Sequence, residues 1–348
     1  MTVKIALDGM GGDDAPQIVL EGANQVLKTN RNVRFLIFGD EGELNKRIGF
    51  YPLLKEHSEI YHAGQAITNS TKPSLALRQA AASGMGLAIK SVAQGLASAV
   101  VSAGNTGAYM ALSKMFLKTL EGVDRPAIAK IMPTAKGKSI VLDLGANAEC
   151  KVEHLVQFGV MGAALAEYSG IHKEHEKPTV GLLNIGSEAS KGLSQLKETA
   201  EILAQHVNFH GFIEGDDITA GTTDVVVTDG FSGNVALKAI EGTARLIKFF
   251  LTEALSSHPT GKLGYFIARK SFHTLSMRMD PRLYNGAILL GLKGIAVKSH
   301  GGTDAVGYAE AIKVALGLAT DHKNPLEDKT ELSFNLTIQE RIAQLAAA

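Results

Sequence analysis

Glycine-rich polar loops follow several short apolar runs of this chain. One of them, residues 102–108 (SAGNTGA), precedes a predicted helix, so its backbone amides and the side chains of Asn105 and Thr106 can hold an anion at the helix N-terminus. An ordinary turn with an N-cap is the alternative for this loop taken alone. Polar residues occupy equivalent positions after other runs: Asn147, Asn184, Ser187, Lys191, Ser232, Asn234 and His300. Several such turns together indicate a phosphate site with a second ligand beside it.

The elements that must position these loops are strands and crossover helices. Aliphatic or β-branched runs without polar alternation separate helical stretches, at residues 3–7, 33–38, 99–101, 140–142, 179–183, 225–227 and 295–297. Runs of this kind are typical of strands buried on both faces of a largely parallel sheet. Ligands bind such sheets at the carboxyl ends of the strands. We therefore expect the polar loops to converge on one edge of the sheet.

Composition excludes several classes of protein. The 348 residues include 35 Lys+Arg and 35 Asp+Glu, so the chain lacks the overall basic charge of a nucleic-acid binder. A single cysteine, Cys150, rules out an intramolecular disulfide and a cysteine-rich metal site. His172 and His175 have a metal-compatible spacing, but their highly charged segment favours a solvated loop. We expect no metal and no cofactor.

The first residues predict a strand and a turn, and they lack the charged region followed by an apolar region that is typical of a signal peptide. No apolar stretch approaches the roughly 20 residues needed to span a bilayer. Both observations predict a cytoplasmic protein, and a peripheral membrane contact remains compatible with them.

Two other chemistries have weaker support. Residues 9–12 (GMGG) follow a strand as in dinucleotide-binding folds, but Asp13 and Asp14 place carboxylates where a pyrophosphate would lie, although Asp40 could still bind a ribose. A Cys150 nucleophile would need a nearby base, and a small buried apolar residue is the simpler interpretation.

A basic amphipathic hairpin is predicted over residues 235–282. Its first helix breaks at residues 256–261 (SSHPTG), and a second helix runs to about residue 279. Residues 262–280 carry a net charge of +3. Three roles remain open: a helix-pair interface with a second subunit, a surface for an acidic partner or membrane, and core packing. The residues expected to make the membrane or partner contact are Lys262, Leu263, Phe266, Ile267, Arg269 and Lys270.

Seven segments, in order, resemble those of one family. They are residues 7–13 (LDGMGGD), 101–108 (VSAGNTGA), 142–147 (LDLGAN) with Cys150 and Lys151, 153–158 (EHLVQF), 181–186 (GLLNIG), 229–231 (DGF) with 233–235 (GNV), and 298–301 (KSHG). The colinear match, from residue 3 to about residue 315, identifies the chain as similar to bacterial phosphate acyltransferases. The resemblance implies a Rossmann-like α/β/α sandwich with a mostly parallel sheet, like phosphotransacetylases and isocitrate-type dehydrogenases. We expect one catalytic domain over residues 1–348, from which the hairpin protrudes.

The resemblance also implies an activity and partners. Such enzymes convert fatty acyl-acyl carrier protein and inorganic phosphate to acyl phosphate and free acyl carrier protein, which feeds glycerol-3-phosphate acylation in phospholipid synthesis. A homodimer is implied, with a peripheral contact to the inner face of the cytoplasmic membrane. A membrane glycerol-3-phosphate acyltransferase is a further expected partner.

Phosphate is itself a nucleophile, so a direct displacement needs positioning and charge stabilisation and no covalent enzyme intermediate. On that mechanism Lys191 and His300 are expected to bind the phosphate or the oxyanion, with Lys298 supporting them and Asp229 orienting a lysine or histidine. The expected phosphate- and substrate-binding residues are Asp8, Gly11, Gly12, Asn105, Thr106, Asn147, Asn184, Ser187, Ser232 and Asn234.

Overall fold

The computed structural model describes residues 2–68, 70–172, 176–320 and 334–347. In these ranges the strands are β1 (Val3–Asp8), β2 (Val33–Gly39), β3 (Ser58–His62), β4 (Ala99–Ser102), β5 (Ala127–Thr134), β6 (Gly137–Leu142), β7 (Thr179–Leu183), β8 (Asn208–Ile213), β9 (Val225–Val227), β10 (Ala287–Leu290) and β11 (Ile295–Lys298). The helices are α1 (Gln17–Thr29), α2 (Glu41–Ile48), α3 (Pro52–Glu56), α4 (Pro73–Gln79), α5 (Gly84–Ala93), α6 (Thr106–Leu117), α7 (Val152–Tyr168), α8 (Ser194–His206), α9 (Gly215–Ala220), α10 (Gly230–Ser257), α11 (Pro259–Ile267), α12 (Arg269–Met279), α13 (Ala305–Thr320) and α14 (Phe334–Ala347). Short 3₁₀ turns lie at Ala80–Ala82 and Pro281–Tyr284.

The strands form one mixed sheet, and helices cover both of its faces. Successive residues of β1 point to opposite faces, so Ile5 and Leu7 join one apolar cluster and Ala6 joins the other. Helices α1, α7, α13 and α14 pack in the first cluster. Helices α5, α6 and the beginning of α10 pack in the second. The predicted α/β/α sandwich with a mostly parallel sheet is confirmed.

Every aliphatic run identified in the sequence is a strand, and these strands are largely buried. The sequence analysis missed four strands, β3, β5, β8 and β10. Strands β3 and β8 are the two edge strands and are partly exposed, so they carry no continuous apolar run.

The strand directions differ from the expected arrangement. The order is β3-β2-β1-β4-β11-β10-β5-β6-β9-β7-β8, with parallel pairing inside the groups β3 to β11 and β6 to β8. Between these groups β10 is antiparallel to both β11 and β5, and β5 is antiparallel to β6. The two groups therefore run in opposite directions. The prediction that all polar loops meet at one edge of the sheet is wrong, because the three antiparallel pairings β11–β10, β10–β5 and β5–β6 reverse the strand direction between the groups.

Helix α10 begins earlier than the sequence pattern indicated. It starts at Gly230, and its N-cap is Asp229, whose carboxylate accepts hydrogen bonds from the Ser232 amide at 2.8 Å and the Ser232 hydroxyl at 2.9 Å. Asp229 therefore satisfies a first-turn amide of α10.

The break predicted at residues 256–261 is confirmed, since α10 ends at Ser257 and α11 begins at Pro259. The second predicted helix is divided into α11 and α12 at Ala268, whose ψ of 13° lies outside the α-helical range.

The first turn of α10 packs directly against the loop that follows β6. A Cβ atom added to Gly233 would lie 2.0 Å from the carbonyl oxygen of Asp143, and one added to Gly230 would lie 2.6 Å from the carbonyl oxygen of Asn147. Only glycine permits this approach, which fixes where α10 starts on the sheet.

We expect Gly233→Ala to lower the free energy of unfolding by about 1–3 kcal/mol, because the added methyl group must displace backbone. Gly242→Ala is the matched control in the same helix, since its Cβ would meet no atom within 4 Å. That variant should gain up to about 1 kcal/mol from helix propensity. Urea unfolding of both variants measures the difference, and equal stabilities would contradict the packing described.

Candidate functional site

A polar pocket of about 340 Å³ lies between the two strand groups. Its walls are the end of β11, the beginning of β10, the middle of β5, the loop after β6, the first turns of α10 and the first residue of α6. Its ionisable lining residues are Lys130, Lys238, Glu241, Lys298 and His300. Because three lysines face one glutamate, the pocket suits an anionic ligand.

Lys130 and Glu241 form a largely buried ion pair in the lining of this pocket. Lys130 lies on the same face of β5 as Ile128, which packs with α5 and α6. Its Nζ lies 3.6 Å from Oε1 of Glu241, and each side chain is 15% exposed. The other carboxylate oxygen of Glu241, Oε2, lies 3.0 Å from Nζ of Lys238.

The charges in this group shift one another's pKa values. Burial lowers the pKa of Lys130, and the adjacent Glu241 opposes that change. Burial acts to raise the pKa of Glu241, but the hydrogen bond from Lys238 and the charge of Lys130 outweigh it, so the pKa is lowered. Glu241 is therefore ionised at neutral pH.

Lys298 lies at the end of β11 and is only 8% exposed. Its ammonium group donates a hydrogen bond to the carbonyl oxygen of Ser299. Burial lowers the pKa of Lys298 to about 8, while the carboxylates of Asp8 and Asp13 act in the opposite direction. A lysine in this state is still mostly protonated at pH 7 but gives up its proton far more readily than an ordinary lysine.

Asp8, at the end of β1, is the buried acid that accompanies Lys298. Its Oδ2 accepts a 2.7 Å hydrogen bond from the hydroxyl of Ser102. Burial raises the pKa of Asp8 to about 6, opposed by the Ser102 hydrogen bond and the charge of Lys298. A Cβ atom on Gly11 would lie 2.4 Å from the same oxygen, so glycine is required there for the loop to close over the carboxylate.

His300 is held at the pocket by its backbone. Its amide donates to Oδ1 of Asn285 at 3.0 Å, and its Nδ1 accepts from the amide of Gly302 at 3.2 Å. Partial desolvation and then the charge of Lys238 lower the pKa of His300. The neutral ring thus carries its proton on Nε2, which can donate to a ligand.

Asn285 secures this arrangement from a buried position. Its Nδ2 donates to the hydroxyl of Ser299 and to the carbonyl oxygen of Gly307, both at 2.8 Å. The side chain therefore connects the start of β10, the loop after β11 and the start of α13.

Four of the residues expected from the sequence line the pocket: Thr106, Asn234, Lys298 and His300. The loop that contains Asp8, Gly11 and Gly12 lies beside it, since a Cβ atom on Gly12 would be 3.4 Å from the carbonyl oxygen of Gly301. Asn105 caps α6 by accepting the Ala108 amide at 2.9 Å. All of these residues except Asn234 lie on or directly after strands of the group β3 to β11.

Asn147, Asp229 and Ser232 form the entry to α10. Asn147 donates through Nδ2 to the carbonyl oxygen of Pro126 and to Oδ2 of Asp143, both at 2.9 Å. The Sγ of Cys150 is 3.8 Å from the carbonyl oxygen of Asn147. Burial and then the charge of Asp143 raise the pKa of the Cys150 thiol to about 12, so it is not a thiolate at neutral pH.

Asn184, Ser187 and Lys191 lie in the loop after β7. The side-chain Nδ2 of Asn184 donates to the carbonyl oxygens of Gly186 at 3.2 Å and Lys191 at 3.3 Å. Nζ of Lys191 is 2.9 Å from Oε1 of Glu188, and its side chain is half exposed. None of the three lines the pocket around Lys298. The opposite direction of β7 separates this loop from those after β1, β4 and β11.

Sequence reasoning missed Lys130, Lys238, Glu241 and Asn285. A signal for Lys130 was present, because it is a lone charge between the apolar pairs of residues 128–129 and 131–132. Lys238 and Glu241 resemble the ordinary polar face of an amphipathic helix, so nothing in the helix pattern distinguishes them.

The described residues contain no group of three or more His, Cys, Asp or Glu side chains arranged to hold a metal ion. His175 lies outside the described ranges, so its spacing from His172 is not tested. No helix within these ranges has both the length and the apolarity to cross a membrane.

Sequence comparison gives one consistent family. The family described as fatty acid synthesis protein matches residues 3–324. A phosphate acyltransferase of Rhodospirillum centenum is 50% identical over 347 residues, which cover 99% of this chain and 94% of that protein.

Solved structures show a similar fold at low sequence identity. A phosphotransacetylase from Streptococcus pyogenes matches with a TM-score of 0.61 and 18% identity, over 92% of this chain and 94% of that one. A 4-hydroxythreonine-4-phosphate dehydrogenase from Klebsiella pneumoniae matches with a TM-score of 0.51 and 12% identity, over 91% and 98% of the two chains. The expected likeness in fold to phosphotransacetylases and to a dehydrogenase is confirmed.

The Asp8–Lys298 interaction leads to a prediction about titration. Because the Asp8 carboxylate raises the pKa of Lys298, Asp8→Asn should move that pKa below its value of about 8. An NMR titration of the lysine side chains measures it, with the Lys298 signal assigned from its loss in Lys298→Arg.

Asp216→Asn, on the exposed part of α9, is the control and should leave the Lys298 signal unchanged. Titration of Lys298 near the ordinary lysine pKa of about 10.4 in the unmodified protein would show that the side chain is not buried as described.

Proposed function

This chain belongs to the phosphate acyltransferase family, and from that membership we propose that it transfers a fatty acyl group from acyl carrier protein to inorganic phosphate. The products are acyl phosphate and free acyl carrier protein. Acyl phosphate then feeds the acylation of glycerol-3-phosphate in phospholipid synthesis.

The observation that carries this proposal is the cationic pocket between the strand groups. Lys130, Lys238, Lys298 and His300 surround a volume that a phosphate and a thioester carbonyl can share. Phosphate carries between one and two negative charges near neutral pH, so the lysines provide its main binding energy. Thr106 and Asn234, also in the lining, add neutral hydrogen-bonding groups for ligand oxygens.

In the proposed reaction an oxygen of phosphate attacks the carbonyl carbon of the thioester. The new C–O bond forms while the carbonyl electrons move to oxygen, and collapse of that oxyanion breaks the C–S bond. The Nε2–H of His300 stabilises the oxyanion as a preorganised donor. Lys298, with its pKa of about 8, gives its proton to the leaving thiolate, whose conjugate thiol has an ordinary pKa of about 8.5.

Other residues of the sequence-based proposal act through these groups. Asp8 keeps Lys298 charged, and Asp229 positions α10 and with it Asn234, Lys238 and Glu241. Lys191 has weaker support as a phosphate ligand, because it pairs with Glu188 and is absent from the pocket lining.

The reaction is tested by incubating the protein with palmitoyl-acyl carrier protein and following free thiol with and without phosphate. We expect Lys298→Ala to lower turnover about 10²–10³-fold, the scale for removal of one preorganised group. Lys293→Ala, an exposed lysine of the same β10–β11 hairpin, is the control and should keep normal turnover. Circular dichroism establishes that each variant is folded.

Absence of phosphate-dependent thiol release from the unmodified protein would refute the proposed reaction. Normal turnover of folded Lys298→Ala would not refute the reaction, but it would show that the active site lies elsewhere. In that case Lys191→Ala, measured in the same assay, tests the loop after β7.

The helices after the pocket support a second part of the proposal. Residues 235–282 carry the predicted hairpin, and in α11 the side chains of Leu263, Phe266 and Ile267 are 60%, 67% and 75% exposed. Lys262, Arg269 and Lys270 are exposed beside them, with the Arg269 guanidinium 5.8 Å from the ring centroid of Phe266.

We propose that this surface contacts acyl carrier protein and the inner face of the cytoplasmic membrane, and that the neighbouring helix faces form a homodimer. At the membrane a glycerol-3-phosphate acyltransferase is the proposed recipient of the product. Basic charge attracts both acidic protein and anionic lipid, and exposed apolar side chains add binding that salt does not screen.

Vesicle cosedimentation tests the membrane contact. Replacing Lys262, Arg269 and Lys270 with Ala should weaken binding to phosphatidylglycerol vesicles and flatten its dependence on salt. Replacing Leu263, Phe266 and Ile267 with Ser should abolish binding at high salt, where only apolar insertion remains. Phosphatidylcholine vesicles are the uncharged control. If both triple variants bound the vesicles as the unmodified protein does, the hairpin would not make the proposed membrane contact.

A further inference from the structure

One acidic residue, Glu241, is part of the otherwise cationic lining of the pocket. It projects from α10 and is held from two sides, by Lys238 on the same helix at 3.0 Å and by Lys130 on β5 at 3.6 Å. Its side chain is 15% exposed, so it is neither a surface charge nor fully covered.

A carboxylate at this position is unfavourable for anion binding in general. A negative side chain in a partly desolvated pocket repels an anionic ligand. Glu241 also stays ionised at neutral pH, because Lys238 and Lys130 lower its pKa despite burial. An ionised carboxylate only accepts hydrogen bonds, so it requires a donor on the ligand.

Inorganic phosphate has such a donor near neutral pH, because it keeps at least one P–OH group. Sulfate has nearly the same size, shape and charge but no proton. We propose that Glu241 is the specificity-determining residue that accepts the P–OH hydrogen bond and so admits hydrogen phosphate while rejecting fully deprotonated oxyanions such as sulfate. This inference rests on the proposed function, in which the same pocket binds the phosphate that attacks the thioester.

The contacts of Glu241 leave capacity for this bond. Each carboxylate oxygen has two lone-pair directions, and each receives one lysine in the structure. Lys130 and Lys238 therefore orient the carboxylate while one direction per oxygen remains for the ligand. The lysines of the lining supply donors to the unprotonated phosphate oxygens.

The proposed role changes no bond of the reaction. The proton accepted as a hydrogen bond by Glu241 stays on its phosphate oxygen, and a different, unprotonated oxygen attacks the carbonyl carbon. Glu241 acts before chemistry, by choosing which oxyanion occupies the pocket.

A purely structural role for Glu241 predicts a different result. If Glu241 only kept Lys130 and Lys238 in place, its replacement would change the affinity for phosphate and sulfate by similar factors. The ratio of the phosphate and sulfate affinities therefore distinguishes a role in anion selectivity from a purely structural role.

The experiment compares Glu241→Gln with the unmodified protein by isothermal titration with phosphate and with sulfate, and by sulfate inhibition of phosphate-dependent thiol release. Glutamine keeps the shape but can donate an N–H to sulfate. We expect the preference for phosphate over sulfate to fall at least about tenfold, mainly through tighter sulfate binding. Glu253→Gln, an exposed position farther along α10, should keep the original preference.

Two further measurements cover the other outcomes. Glu241→Asp keeps the charge and should keep rejecting sulfate even if its phosphate affinity falls. Arsenate, which is also protonated near neutral pH, should bind the unmodified protein about as tightly as phosphate, with sulfate at least about tenfold weaker.

An unchanged ratio in Glu241→Gln, or equal binding of sulfate and phosphate by the unmodified protein, would overturn the inference. Failure of the unmodified protein to release thiol would instead refute the proposed reaction, and the titrations would still decide the role of Glu241.

Discussion

The reversal of strand direction in the middle of the sheet is the constraint on which the pocket depends. Strands β10 and β5 lie between the two parallel groups, and each is antiparallel to both of its neighbours, so the groups point in opposite directions. A fully parallel sheet would place every strand-end loop at one edge. Here α10 follows the second group and crosses the sheet face, so its first turns meet Lys130 of β5 and the end of β11. The pocket is therefore bounded by a sheet face as well as by loops.

The same reversal explains the charge distribution. A lysine on a sheet face or at a buried strand end loses hydration, and each buried lysine here has a carboxylate that offsets part of that cost. Glu241 accompanies Lys130, and Asp8 accompanies Lys298. Each pair joins residues that are far apart in the sequence, so the sheet must assemble before the cations are compensated. A ligand anion can then bind lysines whose desolvation is already largely accomplished during folding.

The sequence predicted the buried strands, the sandwich and the glycine-rich loops well, because each depends on local pattern. It did not predict strand direction, because an apolar run such as residues 140–142 looks alike in either orientation and β5 and β10 were not recognised. That omission placed Lys191 in a common site with His300. Lys130 could not be assigned to the site because its strand was not predicted. Lys238 and Glu241 could not be assigned to it because the pattern does not tell which surface α10 covers. Asn285 was hidden because its three partners come from distant positions, including Gly307.

Helix α10 joins two surfaces of different character. Its first turns carry Lys238 and Glu241 into the pocket, whereas Leu246, Ile247, Phe249 and Phe250 are each at least half exposed. At about 1.5 Å per residue, Phe249 lies only about 12 Å along the axis from Glu241. Exposed apolar side chains grouped at this density are typical of contact surfaces. A substrate with an anionic end and a long apolar tail would therefore find a complement to both ends along one rigid helix, which relates the position of the hairpin to the chemistry proposed for the pocket.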